Sequence, residues 1–196
     1  MSRWGWYLPT NHPKKVLYIS RHCLDIDGVN EIPEKITDYL ASEKLDGVRA
    51  IWTGAEFITR HGNILNPPAW FKAGMPNVRL DGELWMGNGT FAELQSAMQR
   101  KGGDWRGIRF MIFDMAILRV STADRIKALE KLTLPAHCTV ISHAPLADHA
   151  ELDEMETDIV ARGGEGICLR HKDEFYRPNN FIKIKRLFPD LDRWQG

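Results

Sequence analysis

Residues 42–49 read Ser-Glu-Lys-Leu-Asp-Gly-Val-Arg, which places a lysine, a carboxylate, a glycine and an arginine close together. A lysine amine is a poor nucleophile near neutral pH, and it becomes reactive where burial or a neighbouring cation disfavours its charged form. The residues after Arg49 alternate as in a strand, whereas those before Lys44 fit a helix or a loop. We therefore expect Lys44 at a junction that opens to solvent. The alternative is a surface Lys and Arg beside an ordinary turn.

Composition and charge limit the possible functions. Hydrophobic residues make up 43% of the 196 residues, which is enough for a substantial core. The 26 basic and 26 acidic residues balance, so a nucleic acid would have to be held by a local patch rather than by overall charge. The three cysteines are far apart, as is typical of reduced thiols. Neither an export signal nor a membrane-length apolar segment is seen, so we expect a cytoplasmic protein without membrane contact.

The hydrophobic pattern predicts an α+β fold in a single domain, residues 1–196, with 1–30 as an N-terminal extension of uncertain structure. A helix is predicted from Pro33, with Ile36, Tyr39 and Leu40 on one face. Two strands between 48 and 59 meet in a hairpin at Thr53-Gly54, and a polar turn follows at 60–63. Further strands are predicted at 16–19, 78–85, 108–115, 140–142, 167–169 and 181–184, and a turn at 25–30. Further helices are predicted after a Thr90/Glu93 capping box, from Ser121 or Thr122 to Leu132, and from Asp148 to Gly163-Gly164.

Several short patterns carry chemistry but are weak one by one. Asp81 and Glu83 flank a glycine inside a predicted strand, and the alternative for them is an edge strand with solvated acids. Phe113 ends an apolar strand, where a phenylalanine is more often part of the core. Lys183 and Lys185 alternate on a strand and so face the same side, although a solvated face would look the same.

Taken in order, these fragments resemble the nucleotidyltransferase motifs of ATP-dependent DNA ligases. The resemblance covers roughly residues 40–186, and the spacings are close to those of the smallest members of that family. The matching fragments are Lys44-Leu45-Asp46-Gly47-Val48-Arg49, Arg60-His61-Gly62, Asp81-Gly82-Glu83-Leu84, Phe113-Asp114, Glu165-Gly166-Ile167-Cys168-Leu169-Arg170 and Lys183-Ile184-Lys185.

The resemblance implies a ligase-type nucleotidyltransferase domain, with antiparallel sheets flanked by helices around a central nucleotide cleft. It implies that Lys44 attacks the α-phosphorus of ATP and becomes a lysyl-AMP phosphoramidate. AMP would then pass to the 5′-phosphate of a DNA nick, and the 3′-hydroxyl would displace it.

The resemblance also assigns the nucleotide and metal contacts. Glu83 would bind the ribose and Glu165 the metal, and both are candidate ligands of Mg²⁺ or Mn²⁺. Phe113 would stack on the adenine. Lys183 and Lys185 would grip the α-phosphate and favour the neutral amine of the nucleophile.

The remaining assignments concern orientation and the DNA. Asp46 would orient Lys44 or bind metal at a distance, and Ser42 with the backbone of Glu43 would read the adenine edge. An arginine fork suits a phosphate, so three arginines are expected to receive the nick 5′-phosphate. They are Arg49, Arg60 and Arg170.

Three sequence features favour an ATP-dependent DNA ligase over other enzymes of the same superfamily. NAD-dependent ligases usually carry a small residue at the position of Arg49, and capping enzymes usually have aspartate at the position of Glu165. RNA ligases generally depart more from the Asp-Gly-x-Arg ending of the first motif. The two rival functions are an RNA ligase of the same superfamily and a nucleotide- or nucleic-acid-end-binding module without turnover.

The chain ends eleven residues after Lys185, which leaves no room for the OB-fold domain that follows in most ligases. We therefore expect that domain to be absent. The chain would be a shortened ligase, a natural minimal ligase, or one that uses an OB-fold or other DNA-binding partner in trans. We expect a monomer that acts on nicked double-stranded DNA, with slow self-adenylylation.

Overall fold

The structure is a computed structural model that describes residues 32–100 and 103–184. The strand expected at 16–19, the turn expected at 25–30 and Lys185 lie outside the described residues. In chain order the elements are β1 Tyr39–Lys44, β2 Val48–Trp52, β3 Phe57–Thr59, α1 Ala69–Lys72, β4 Leu80–Trp85, α2 Phe91–Gln99, β5 Arg109–Met115, α3 Thr122–Leu129, β6 Cys138–Val140, β7 Ala144–Pro145, α4 His149–Ala161, β8 Gly166–His171 and β9 Ile182–Ile184.

These strands form two sheets, which confirms the α+β prediction. The four-stranded sheet has the order β7-β1-β8-β9, and the five-stranded sheet has the order β3-β2-β4-β5-β6. The strand pairs are antiparallel, as expected, except that β5 and β6 run parallel. Among the described residues no helix is both long and apolar enough to cross a membrane.

The helix expected from Pro33 is wrong. A short 3₁₀ turn at Ile36–Asp38 is followed directly by β1, so Tyr39 and Leu40 are strand residues. The reason is tertiary: β1 pairs with β8 along its whole length and with β7 at Leu40 and Ala41 on the other side, and these ladders satisfy most of its backbone groups. Pairing with strands more than 100 positions away therefore decides the conformation of this segment.

Each sheet has its own core. The larger cluster covers the five-stranded sheet and includes Phe57, Phe71 and Phe110, all fully buried. The smaller cluster lies on the four-stranded sheet and includes Ile159 of α4 with Ile167 and Leu169 of β8. The second face of the four-stranded sheet therefore remains available for polar side chains.

Strand β4 lies between β2 and β5, so the edge-strand alternative for Asp81 and Glu83 is wrong. At Gly82, a Cβ atom would lie 2.6 Å from the Met111 carbonyl oxygen and 2.7 Å from the Phe110 ring. Only glycine fits there without displacing β5. The two acids therefore stand on a central strand that packs closely against its neighbour.

Glycine and capping residues in the sequence correctly predicted several turns and helix starts. The hairpin between β2 and β3 forms with Gly54 at φ +99°, and Gly62 has φ +81° in the turn that follows β3. Asp148 caps α4 by accepting from the Glu151 amide at 3.0 Å, and Ser121 accepts from the Asp124 amide at 3.2 Å.

Other local predictions need correction. The Thr90 hydroxyl does not cap α2, because it donates to the Gly87 carbonyl at 2.8 Å instead. Helix α3 ends at Leu129 rather than Leu132. The strand expected at 140–142 is β6, which ends at Val140 because its ladder pairs with β5 through Cys138–Val140.

Two segments connect the sheets. Residues 45–47 carry the chain from β1 in one sheet to β2 in the other, and a Cβ atom at Gly47 would overlap the Leu84 carbonyl oxygen. Residues 172–181 leave β8, contact the five-stranded sheet and return to β9. Polar side chains on both sheets are thereby brought together.

Candidate active site

Lys44 is the last residue of β1, at the point where the chain crosses between the sheets. It pairs in register with Gly166, and its Nζ contacts Oε2 of Glu165, the residue that precedes β8. The two side chains are largely buried, at 14% and 22% exposure. The structure thus joins two predicted site residues that are 121 positions apart.

Glu83 lies on β4 beside this pair. Burial raises the pKa of its carboxyl to about 8, and the positive charges of Arg49 and Lys44 act in the opposite direction. The nearby carboxylates Asp81 and Glu165 raise this pKa further. Glu83 is therefore close enough to the lysine and to Glu165 to interact with both electrostatically.

One face of the four-stranded sheet lies next to Lys44, and we call the region between this face and Glu83 of the five-stranded sheet the cleft. Cys168 of β8 is opposite Ser42 on one side and opposite Lys183 of β9 on the other. Its neighbours Ile167 and Leu169 point into the smaller core, so Cys168 points the other way. Burial raises the pKa of the Cys168 thiol, and nearby cations, Lys183 among them, partly offset that effect.

Arg49 is held from two directions. Its Nε and Nη2 donate to the two carboxylate oxygens of Asp81 at 3.0 and 2.6 Å. Nη1 donates to Asn179 Oδ1 at 2.8 Å, and Nη2 also donates to the Pro178 carbonyl. The Tyr176 hydroxyl donates to Oδ2 of the same Asp81 at 2.9 Å.

A second buried carboxylate holds two further arginines. Asp114 of β5 accepts from Arg125 Nε at 2.7 Å and from Arg170 Nη1 at 3.1 Å. Arg125 belongs to α3 and Arg170 to β8, so this carboxylate ties a helix and both sheets together. The buried Nε of Arg170 has no hydrogen-bond partner within the part of the chain that the structure describes.

Two aromatic rings lie against these guanidinium groups. The Arg170 Cζ is 4.6 Å from the ring centre of Phe113 and 5.0 Å from that of Phe181. The Arg49 Cζ is 5.5 Å from each ring centre. Phe113 is 9% exposed. Its ring is held beside the cleft by cation–π contacts with both guanidinium groups.

The other predicted residues lie around this cluster. Glu43 is paired with Arg162 at 3.4 Å, and Ser42 Oγ donates to the Cys168 carbonyl at 3.5 Å. Asp46 is half-buried in the crossing segment. Arg60 is exposed in the turn after β3, where its Nε donates to His61 Nε2 at 3.1 Å.

Sequence reasoning gave no role to the residues that hold the arginines. Asp81 and Asp114 belong to the motifs quoted above, but neither residue was assigned a function from them. A carboxylate within a buried strand needs a cationic or hydrogen-bonding partner, and this is the signal that could have pointed to the arginines. Arg125, Tyr176 and Asn179 were missed altogether, because no local pattern marks them.

The donor set fits a hard divalent cation only in part. Glu83 and Glu165 offer carboxylate oxygens, which suit Mg²⁺ or Mn²⁺. No cluster of three or more His, Cys, Asp or Glu side chains suited to a metal occurs among residues 32–100 and 103–184. A Mg²⁺ ion commonly takes one or two carboxylates and completes its shell with phosphate and water, so two glutamates are enough for that mode.

Comparison with known proteins identifies the fold. A solved structure of a Lig E DNA ligase superposes with a TM-score of 0.72 at 37% identity, covering 77% of this chain and 63% of that one. The DNA ligase of Haemophilus influenzae is 30% identical over 159 residues, which are 78% of this chain and 59% of the relative. The chain therefore has the fold of a ligase-type nucleotidyltransferase domain.

More distant structures agree on the fold. The DNA ligase-adenylate of Chlorella virus superposes on this chain with a TM-score of 0.63 at 19% identity, over 78% of this chain and 64% of that one. No protein-family model matches the chain. The chain spans less than two thirds of the length of these relatives, namely 59%, 63% and 64%.

Proposed function

We propose that this chain is an ATP-dependent DNA ligase that carries AMP on Lys44. One observation supports this most directly: Lys44 Nζ contacts Glu165 in a cleft that Glu83 also faces, at the junction of two sheets. A single amine between two acids, with further cations on the adjoining strand, is an arrangement suited to nucleophilic attack on a phosphate. The family of its relatives, described above as DNA ligases, agrees with this chemistry.

In the first step, the amine of Lys44 forms a bond to the α-phosphorus of ATP, and the bond to pyrophosphate breaks. The amine must lose its proton for this to occur. Glu165 contacts Nζ directly, so it holds the amine at the point of attack and is placed to take up the proton. Asp46, in the crossing segment two residues later, helps to orient the lysine.

Glu83 and Glu165 are the residues that would hold a Mg²⁺ or Mn²⁺ ion. The metal would neutralise charge on the triphosphate. A cation beside Glu83 favours its ionised form, which opposes the effect of burial on its pKa. Without a metal, Glu83 is available to bind the ribose hydroxyls as a hydrogen-bonding group.

The walls of the cleft supply the remaining contacts to the nucleotide. Lys183, on the cleft face of β9, and Lys185 beyond it would hold the α-phosphate. The Nε of Arg170, which has no hydrogen-bond partner among residues 32–100 and 103–184, would be a further donor for a phosphate oxygen. Phe113 stacks on the adenine, while Ser42 and the backbone of Glu43 read its edge.

In the second and third steps, AMP passes to the 5′-phosphate of a nick, and the 3′-hydroxyl displaces AMP to form the phosphodiester bond. We assign the 5′-phosphate to three arginines, namely Arg49, Arg60 and Arg170. The chain acts as a monomer on nicked duplex DNA, and an OB-fold or other DNA-binding partner is an optional aid.

The test is transfer of label from ATP labelled at the α-phosphate, in the presence of Mg²⁺. We expect label on the wild-type protein, none on Lys44→Ala, and full labelling of the control Lys72→Ala, which alters an exposed lysine of α1. Adding a nicked DNA duplex should move the label to DNA and then release it as AMP during sealing. Label that persists on Lys44→Ala would place the nucleophile elsewhere, and better sealing of nicked RNA would move the substrate class to RNA.

A further inference from the structure

The segment between β8 and β9, residues 172–181, reaches across to the five-stranded sheet and carries a tyrosine into the site. The Lys172 amide donates to the Asp38 carbonyl at 2.8 Å, and the Thr122 amide donates to the Glu174 carbonyl at 2.9 Å. The segment is therefore fastened to the turn before β1 and to the start of α3. Tyr176, in its middle, is 7% exposed and points at the fully buried Asp81.

Asp81 receives two hydrogen bonds on the same oxygen. Its Oδ2 accepts from the Tyr176 hydroxyl at 2.9 Å and from Arg49 Nη2 at 2.6 Å, while its Oδ1 accepts from Arg49 Nε at 3.0 Å. A carboxylate with this many fixed donors cannot rotate without breaking one of them. The phenol therefore fixes the plane of the carboxylate, and the carboxylate fixes the plane of the guanidinium.

The position of Arg49 matters for the site on two sides. Arg49 is paired in register with Glu83 across β2 and β4. Its positive charge lowers the pKa of Glu83 and so offsets part of the effect of burial. Its guanidinium also lies against the rings of Phe113 and Phe181. A small rotation of this group would disturb both the acid that faces Lys44 and the aromatic wall of the cleft.

We propose that Tyr176 is a positioning residue for the ligase reaction, which acts through Asp81 to hold Arg49 in its catalytic orientation. Within the described residues the Tyr176 hydroxyl donates to Asp81 rather than to Glu83 or Glu165. Burial and the adjacent Asp81 raise the pKa of its hydroxyl well above 10, so it remains a donor over the working pH range. The effect of Tyr176 on the reaction rate rests on the proposed function. The link from Tyr176 through Asp81 to Arg49 rests on the geometry alone.

The first experiment compares Tyr176→Phe with Tyr39→Phe, a control that removes a phenol hydroxyl from the outer end of β1. The rate constant is followed for lysine adenylylation with labelled ATP. We expect Tyr176→Phe to lower kcat about tenfold, because a buried hydrogen bond to a charged group is lost and Arg49 is no longer held in one orientation. The control should keep the wild-type kcat.

The second experiment separates positioning from a general loss of structure by a double-mutant cycle with Asp81→Asn. If Tyr176 acts through Asp81, the double variant should be no slower than Asp81→Asn alone. Losses that multiply would overturn the inference, and so would an unchanged kcat in Tyr176→Phe.

The third measurement does not depend on ligase activity. Hydrogen exchange of the Arg49 Nε proton, followed by NMR, should be slow in the wild type and at least tenfold faster in Tyr176→Phe. If the wild type takes no label from ATP, the proposed function fails, and this exchange rate still decides the link. Equal exchange rates in the wild type and in Tyr176→Phe would overturn the link between Tyr176 and Arg49.

Discussion

Asp81 and Asp114 lie opposite each other across the β4–β5 pair, and each neutralises a buried arginine at the edge of the cleft. Asp81 holds Arg49 of β2, and Asp114 holds Arg170 of β8. Both guanidinium groups stack on Phe113 and Phe181. The two sheets therefore meet through a layer of alternating carboxylates, guanidinium groups and aromatic rings, which keeps the cleft residues in place.

Arg125 stabilises this layer from the helix side, so its loss should destabilise the whole protein. It is 2% exposed and forms two hydrogen bonds to Asp114, at 2.7 and 3.1 Å. Without Arg125, Asp114 keeps one cationic partner, Arg170, instead of two, and a large buried side chain is lost, so we expect Arg125→Ala to lower the free energy of unfolding by about 3 kcal/mol. Urea denaturation followed by tryptophan fluorescence measures this.

The matched control is Arg106→Ala. Arg106 also pairs with an aspartate, Asp104, but both side chains are solvent-exposed. An exposed pair contributes little, so its loss should leave the urea midpoint unchanged. Equal effects of the two substitutions would contradict the claim that burial makes the Arg125 pair important.

Gly82→Ala should reduce both stability and activity. The added Cβ atom would press on the Met111 carbonyl and the Phe110 ring, both within 2.7 Å, and neither can move without shifting β5. We expect a loss of about 1–3 kcal/mol in the free energy of unfolding, as for other overpacked cores. Thermal and urea denaturation measure the loss.

Adenylylation by Gly82→Ala should also slow, because Asp81 and Glu83 are the neighbours of this glycine on β4. In the control Gly107→Ala the nearest atom is the end of the flexible Met86 side chain, at 3.0 Å. That variant should be close to wild type in both measurements. A stable and active Gly82→Ala would show that β4 and β5 can separate slightly without harm.

Features with a local cause could be predicted from the sequence. The glycine at the β2–β3 hairpin and the Asp148 cap of α4 depend on neighbours within a few positions, and both predictions are confirmed. The strand β1 could not be predicted in this way, because its conformation depends on pairing with β7 and β8.

The same reasoning explains what was missed in the site. The order of short motifs was enough to choose Lys44, Glu83 and Glu165, which the structure brings together. Tyr176 reaches Asp81 across 95 positions of chain, through a segment without periodic pattern. Such a contact becomes visible only when the path of the segment between β8 and β9 is known.

Arg60 should contribute to DNA binding through a phosphate contact. It is exposed in the turn after β3, where a planar guanidinium can reach a phosphate oxygen. We expect Arg60→Ala to weaken binding to a nicked duplex. The negative slope of log affinity against log salt should become less steep by about 0.9, the value for one phosphate contact. Fluorescence anisotropy at several salt concentrations measures this slope.

Lys131→Ala removes another exposed cation, at the end of the α3 region, and serves as the control for Arg60→Ala. Its salt slope should equal that of the wild type. Parallel salt dependence in Arg60→Ala and the wild type would show that Arg60 does not contact the DNA backbone.

Glu83 should make the stability of the metal-free protein depend on pH. Its pKa is about 8 in the folded protein and 4.5 in the reference state. Between these values the folded protein keeps a proton that the unfolded chain has released. The contribution of Glu83 to stability therefore decreases as pH rises from about 4.5 to 8, by at most about 1.4 kcal/mol per pH unit.

Glu83→Gln removes this titration while keeping the shape of the side chain. The difference in free energy of unfolding, variant minus wild type, should therefore become more positive from pH 5 to pH 8 and then level off. Urea denaturation without metal or nucleotide measures it, with Glu93→Gln on the exposed side of α2 as the control. A difference that stays constant over this range would mean that Glu83 is ionised in the folded protein, and that Lys44 and Arg49 outweigh the effect of its burial.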